Sequence, residues 1–212
     1  VAADRVRQML DSILNWFQHV LGKGPSADAQ SWSEALLGSL NFWNLLEGTH
    51  LLSLMLFAGT ILIVDFRLLG VVFRKSPVSR ISDVILPYTV FGFIFTTLTG
   101  MGLLFAKPLF YYHDIWFRAK MIFLALALIN IMVFHGRVQA TQGSWDADET
   151  PPRAARLSAT FSLLLWFLVI GCGRFIPYNW FECGKPQSDF INWVEECKTS
   201  EKGAYNLAGQ HL

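Results

Sequence analysis

Four uninterrupted apolar stretches between Ala35 and Tyr178 constrain this chain more than any other feature. Each is about long enough to cross a bilayer as a helix, which takes roughly 20 apolar residues. The expected fold is an all-α integral membrane protein. A four-helix transmembrane bundle over 35–178 follows an amphipathic surface helix over 1–24 and a linker over 25–34, and precedes a short periplasmic tail over 179–212. With 53% hydrophobic and 16% charged side chains in 212 residues, one membrane domain accounts for nearly all of the composition.

The N-terminal pattern differs from that of the spans. Val6, Met9, Leu10, Ile13, Leu14, Phe17, Val20 and Leu21 recur at helical spacing opposite Asp4, Arg5, Gln8, Asp11, Asn15 and Gln18. Such a helix lies on a membrane surface or against a partner subunit. The residues after Val1 do not have the basic-then-apolar design of a secretory signal. Ser31-Trp32-Ser33-Glu34 has capping-box spacing and starts a long helix from Ala35 to Val64 that is expected to bend near the surface. The other spans are Val84–Ala106, Ile115–Phe134 and Leu157–Gly173. Gly92, Thr96 and Gly100 fall four apart on the second, a spacing that lets helices approach closely.

Two connections, one with Arg67, Arg74, Lys75 and Arg80 and the other with Arg137, Arg153 and Arg156, lie on the same side of the membrane. The positive-inside rule makes that side cytoplasmic and puts both termini in the periplasm. There Cys183 and Cys197 are candidates for a disulfide closing a loop of about 15 residues, worth ~3 kcal/mol. Cys172, within the fourth span, reads as a packing residue.

Counting helix rise from the cytoplasmic boundary puts Glu47, His50, Arg118, Lys120 and Arg174 in one layer about 22–27 Å up, with Thr97, Thr99 and Gly100 level with them. Intramembrane charges need partners and mark functional sites. Glu47 with Arg118 makes a neutral pair, but three cations face one carboxylate. Surplus positive charge in a dry layer suits an anionic oxygen: a haem propionate, a quinone head group or a lipid phosphate.

Histidine placement limits haem. His113 stands about 10 Å above His50 and His135 about 22 Å below it, so His50 with His113 is the one internal pair that could ligate a b-type haem. Glu47-Gly48-Thr49-His50 has ExxH spacing, yet a single copy with no further carboxylates favours a structural role over a di-metal centre. Asp65, Arg67, His135 and Arg137 form a second polar layer, read as ion pairing at helix ends. The scattered basic residues and net charge of +1 give no nucleic-acid surface.

Glu47-x-x-His50, Asp65-Phe66-Arg67-Leu68-Leu69-Gly70, Phe117-Arg118-Ala119-Lys120, Asn130 with Phe134-His135, and Gly173-Arg174-Phe175-Ile176-Pro177-Tyr178 resemble an uncharacterised family of bacterial four-helix inner-membrane proteins. That family is distantly similar to CopD and cytochrome b561-like membrane domains. The resemblance implies a bacterial inner-membrane protein. Two functions are expected. One is a membrane subunit of an electron-transfer assembly that holds haem b or a quinone in the outer-leaflet layer. The other is a cofactor-free subunit that anchors partner proteins. Transport of a metal or small anion lacks the inverted repeat and broken helices it would use.

Overall fold

The structure is a computed structural model that describes residues 2–26, 29–178, 181 and 188–195. Among these residues it is all-helical. The helices are α1 (Ala2–His19), α2 (Trp32–Gly38), α3 (Leu40–Leu68), α4 (Val78–Ala106), α5 (Pro108–His113), α6 (Ile115–Val133), α7 (Arg153–Phe175) and α8 (Asp189–Val194). Four segments are long and apolar enough to cross a membrane: Leu40–Leu68, Val78–Ala106, Ile115–Ser144 and Arg153–Tyr178. They are consistent with a multi-pass membrane protein. Cys183 and Cys197 lie outside the described residues.

The expected capping box at Ser31 is present. The Ser31 hydroxyl accepts from Glu34 N at 3.1 Å, and the Glu34 carboxylate accepts from Ser31 N at 2.9 Å. The helix it starts is short. Gly38-Ser39 breaks it, with Ser39 extended at φ −89° and ψ 94°, and α3 begins one residue later. Gly/Ser pairs are a recognised cause of sharp helix kinks, so this break has a local chemical origin.

Two antiparallel hairpins, α3/α4 and α6/α7, join along α3 and α7, while α4 and α6 flank the assembly without packing on each other. Within the first hairpin the seam is the small-residue stripe. A Cβ at Gly92 would stand 2.9 Å from the Phe57 backbone nitrogen, Thr96 donates to Ser53 at 3.0 Å, and Gly100 faces the His50 ring. Absent side chains let the two backbones approach, which replaces the hydrophobic drive that lipid cannot supply. Between the hairpins Phe57 packs edge-on against Trp166, ring centroids 4.7 Å apart. In the second hairpin, a side-chain amide substitutes for close backbone approach: Asn130 donates to Ser158 O at 3.0 Å and accepts from the Ser158 hydroxyl at 3.1 Å.

α4 starts at Val78, six residues before its apolar run, and a distant loop holds that extra turn. Val78 N and Ser79 N donate to the backbone and side-chain oxygens of Asp146, at 3.1 and 2.7 Å. α1 lies against α2 and α5 at the end that carries the N-terminus, henceforth the termini end. Gln18 O accepts from the Ser31 hydroxyl at 2.5 Å, and His19 meets Glu34 at 2.7 Å. Val6, Met9, Ile13 and Trp16 of α1 remain exposed, as does Val20 just after it.

Candidate functional site

His50 sits on α3 where Gly100 of α4 leaves room; a Cβ there would be 3.1 Å from His50 Cε1. Its Nδ1 lies 3.0 Å from Thr99 Oγ1. The Thr99 hydroxyl donates to the Phe95 carbonyl at 2.6 Å, and the Thr96 carbonyl also faces the imidazole. With its own proton committed, Thr99 can only accept from the ring, as can a carbonyl, so the proton is assigned to Nδ1. Nε2 keeps its lone pair and has no hydrogen-bond partner among the described residues.

Lys120 reaches the same layer from α6. Its chain passes over Gly173 of α7, where a Cβ would be 3.5 Å from Nζ, and its charge acts on both His50 and Cys172. It is half-buried and has no hydrogen bond or ion pair among the described residues. An unpaired ammonium in an apolar layer is costly. Two glycines on two helices thus leave room for the imidazole and for a cation whose charge acts on it.

The remaining residues of the expected layer have other partners. Glu47 is exposed and faces Lys107 and Tyr111 rather than Arg118. Lys107 also stands over the Trp43 ring, 5.2 Å from its centroid. Arg118 donates from Nε to Tyr112 O at 2.8 Å and from Nη1 to Val194 O, tying α6 to α8. Arg174 is exposed and donates to the Tyr178 hydroxyl at 3.0 Å. His113 has Nδ1 3.3 Å from Glu195 O and Nε2 3.3 Å from Asp11 Oδ1, so its ring tethers α1 and α8.

Lys107, Tyr111 and Asp114 contribute electrostatics at this end that height counting does not give. Burial lowers the Lys107 pKa, with Glu47 opposing. Burial raises Tyr111 to about 12, reinforced by the charges of Glu47 and Asp114. Asp114 is 1% exposed and caps α6 by accepting from Phe117 N at 2.7 Å. Burial raises its pKa to about 6, against the pull of the Phe117 and Trp116 N–H groups. A sequence signal existed for Asp114, an N-cap residue directly before an apolar run.

The opposite end, which carries the α3–α4 and α6–α7 connections, is the loop end. Arg67 is fully buried and donates to Ser76 O at 2.9 Å and Asp148 O at 3.0 Å, joining the two connections. Asp146 accepts from Ser79 Oγ at 2.5 Å and Gln142 Nε2 at 3.1 Å. Against the penalty of burial, the Ser79 hydroxyl, the Gln142 amide, Ser79 N–H and the Arg67 charge hold its pKa below the ordinary value. The expected ion pairing is replaced by side chain to carbonyl bonds. His135 is exposed, with Nδ1 at Ile131 O one turn back and its ring edge-on to Phe134.

No group of three or more His, Cys, Asp or Glu suited to a metal occurs among the described residues. The layer at His50 and Lys120 instead offers one strong donor and one acceptor, suited to a ligand with an acceptor oxygen and a donor hydroxyl.

The fold and site therefore define an all-α protein with four membrane-length helices and a cationic niche near the termini end. Residues 41–179 match DUF6644, a family of unknown function, and the chain belongs to that family. No curated protein and no solved structure matches it.

Proposed function

We propose that this chain is a multi-pass subunit of an electron-transfer assembly in a bacterial inner membrane, with both termini periplasmic, and that it holds a quinone head group between His50 and Lys120 in the outer leaflet. The observation carrying this reading is the pairing of two groups without partners: the His50 Nε2 lone pair and the Lys120 ammonium. A quinone, when bound, supplies two-electron, two-proton redox chemistry. Lys120 would hold its carbonyl oxygen. His50 Nε2 would accept a hydrogen bond from the hydroxyl form, with Thr99 fixing the ring through Nδ1.

Haem b is the second reading, favoured by the same nitrogen. An imidazole whose Nδ1–H is held by an oxygen presents Nε2 as a ligand, the usual outer-shell arrangement of metal-bound histidine. His113 is held at Asp11 and Glu195, so a second haem ligand would come from a partner subunit. Anchoring of partner proteins is compatible with either reading and is supported by the exposed apolar residues of α1 and by exposed Phe190 and Trp193 on α8.

Purification in mild detergent, followed by solvent extraction and a visible spectrum, tests the cofactor. A bound quinone that is depleted by K120M supports the leading reading, and a Soret band lost in H50A supports haem. A colourless, quinone-free protein leaves anchoring as the function.

A further inference from the structure

The polar groups of the two end layers leave one acid on α3 unaccounted for. Asp65 is 5% exposed, one turn from the end of α3, and its Oδ2 has no hydrogen-bond partner. The Ser162 hydroxyl of α7 is the side chain turned toward it. Among the described residues no basic side chain lies within ion-pair distance. Arg67, the nearest cation along the helix, is directed at the Ser76 and Asp148 carbonyls. His135, Arg153 and Arg156 are exposed, and Asp146 and Asp148 face the Arg67 side. Ala155 and Ala159 of α7, beside Leu68 and Val138, complete an apolar wall at this end.

A carboxylate without a counter-ion in such surroundings loses its hydration and gains nothing in return, so the neutral acid is the form the site accommodates. The unpartnered Oδ2 suits the neutral acid better than the carboxylate, because burying an unpaired dipole costs less than burying an unpaired charge. The geometry points to Asp65 as a proton-binding site inside the membrane domain, neutral at rest, exchanging its proton with water at the loop end. This inference stands on the membrane reading and not on the quinone, since Asp65 and His50 lie at opposite ends of α3.

The competing state is an ionised Asp65 joined through water to Arg67 Nη1, which is also without a partner. Infrared spectra of the full chain in phosphatidylcholine vesicles at neutral pH separate the two. The site described here gives a protonated-carboxyl band that moves to lower frequency in heavy water, vanishes in D65N and moves to higher frequency in S162A, where its hydrogen bond is lost. D65N should keep the wild-type unfolding temperature, because the amide is the neutral acid's isostere. A wild-type minus D65N spectrum with no such band overturns the inference, as does a band insensitive to heavy water. A D65N protein that fails to fold, or unfolds well below wild type, overturns it in favour of the charged, water-joined pair.

Discussion

Both ends of this molecule bury polar side chains among apolar helices, yet they treat them in opposite ways. At the loop end, Asp146 and the Nε and Nη2 groups of Arg67 meet close partners, mostly backbone, and knot two connections together. At the termini end, His50 Nε2 and Lys120 have none among the described residues. Satisfied groups hold a fold together, whereas unsatisfied ones cost stability that only a ligand returns. The proposed quinone site is therefore assigned to the termini end, while the loop end keeps one buried acid, Asp65, with an unpartnered oxygen.

The largest expected effect breaks the frame that carries both layers. Gly92→Leu drives a side chain into the Phe57 backbone, where even a Cβ stands 2.9 Å from the nitrogen. It should cost about 3 kcal/mol or more, read as a loss of the folded population in detergent unfolding.

The two ends should also respond to pH with opposite sign. Asp114 titrates at about 6 in the folded chain against 3.8 as its ordinary value, so the native state binds more protons in that window. Stability from this group falls as pH rises from 3.8 to about 6 and is then constant, a total of roughly 3 kcal/mol. D114N keeps the cap on Phe117 N and should abolish this fall. Asp146 is held below its ordinary value, so its contribution is present above that value and disappears as acid protonates it. Unfolding midpoints of wild type, D114N and D146N from pH values below 3.8 up to neutral separate the two contributions, Asp114 above 3.8 and Asp146 below it.

Substitution at each layer sharpens the contrast further. Asp146→Ala removes an acceptor shared by Ser79 and Gln142 and should destabilise by about 2 kcal/mol, leaving ligand binding unaltered. Lys120→Met should act in reverse, stabilising the ligand-free chain by about 1 kcal/mol, because it removes an unpaired charge from an apolar layer. Chemical unfolding of the two variants side by side decides this. A Lys120→Met protein less stable than wild type would make Lys120 a structural residue.

Depth was readable from the sequence and direction was not. Helix rise placed His50, Thr99, Gly100 and Lys120 in one layer, and the four-residue spacing of Gly92, Thr96 and Gly100 is the α3/α4 seam. Glu47, Arg118 and Arg174 were at matching depth, but which way each side chain turns depends on neighbours that periodicity does not name. The break at Ser39 and the short α5 bring Lys107 and Tyr111 toward Glu47. α8 supplies the carbonyl that takes Arg118. Gly38-Ser39 was the visible hint of the break. The π-helical turn Phe134–Val138, with His135 exposed beyond α6, left no comparable mark in the sequence.

The central claim is that Lys120 and His50 together hold a quinone oxygen. Its most direct test is equilibrium binding of a short-tailed quinone to the purified full chain, comparing wild type with K120M, H50A and R174Q. Saturable binding weakened at least about tenfold in K120M and H50A, the loss of one good charge-assisted or neutral hydrogen bond each, and unchanged in R174Q is the predicted result. Equal binding in all four proteins, or none in wild type, would contradict it.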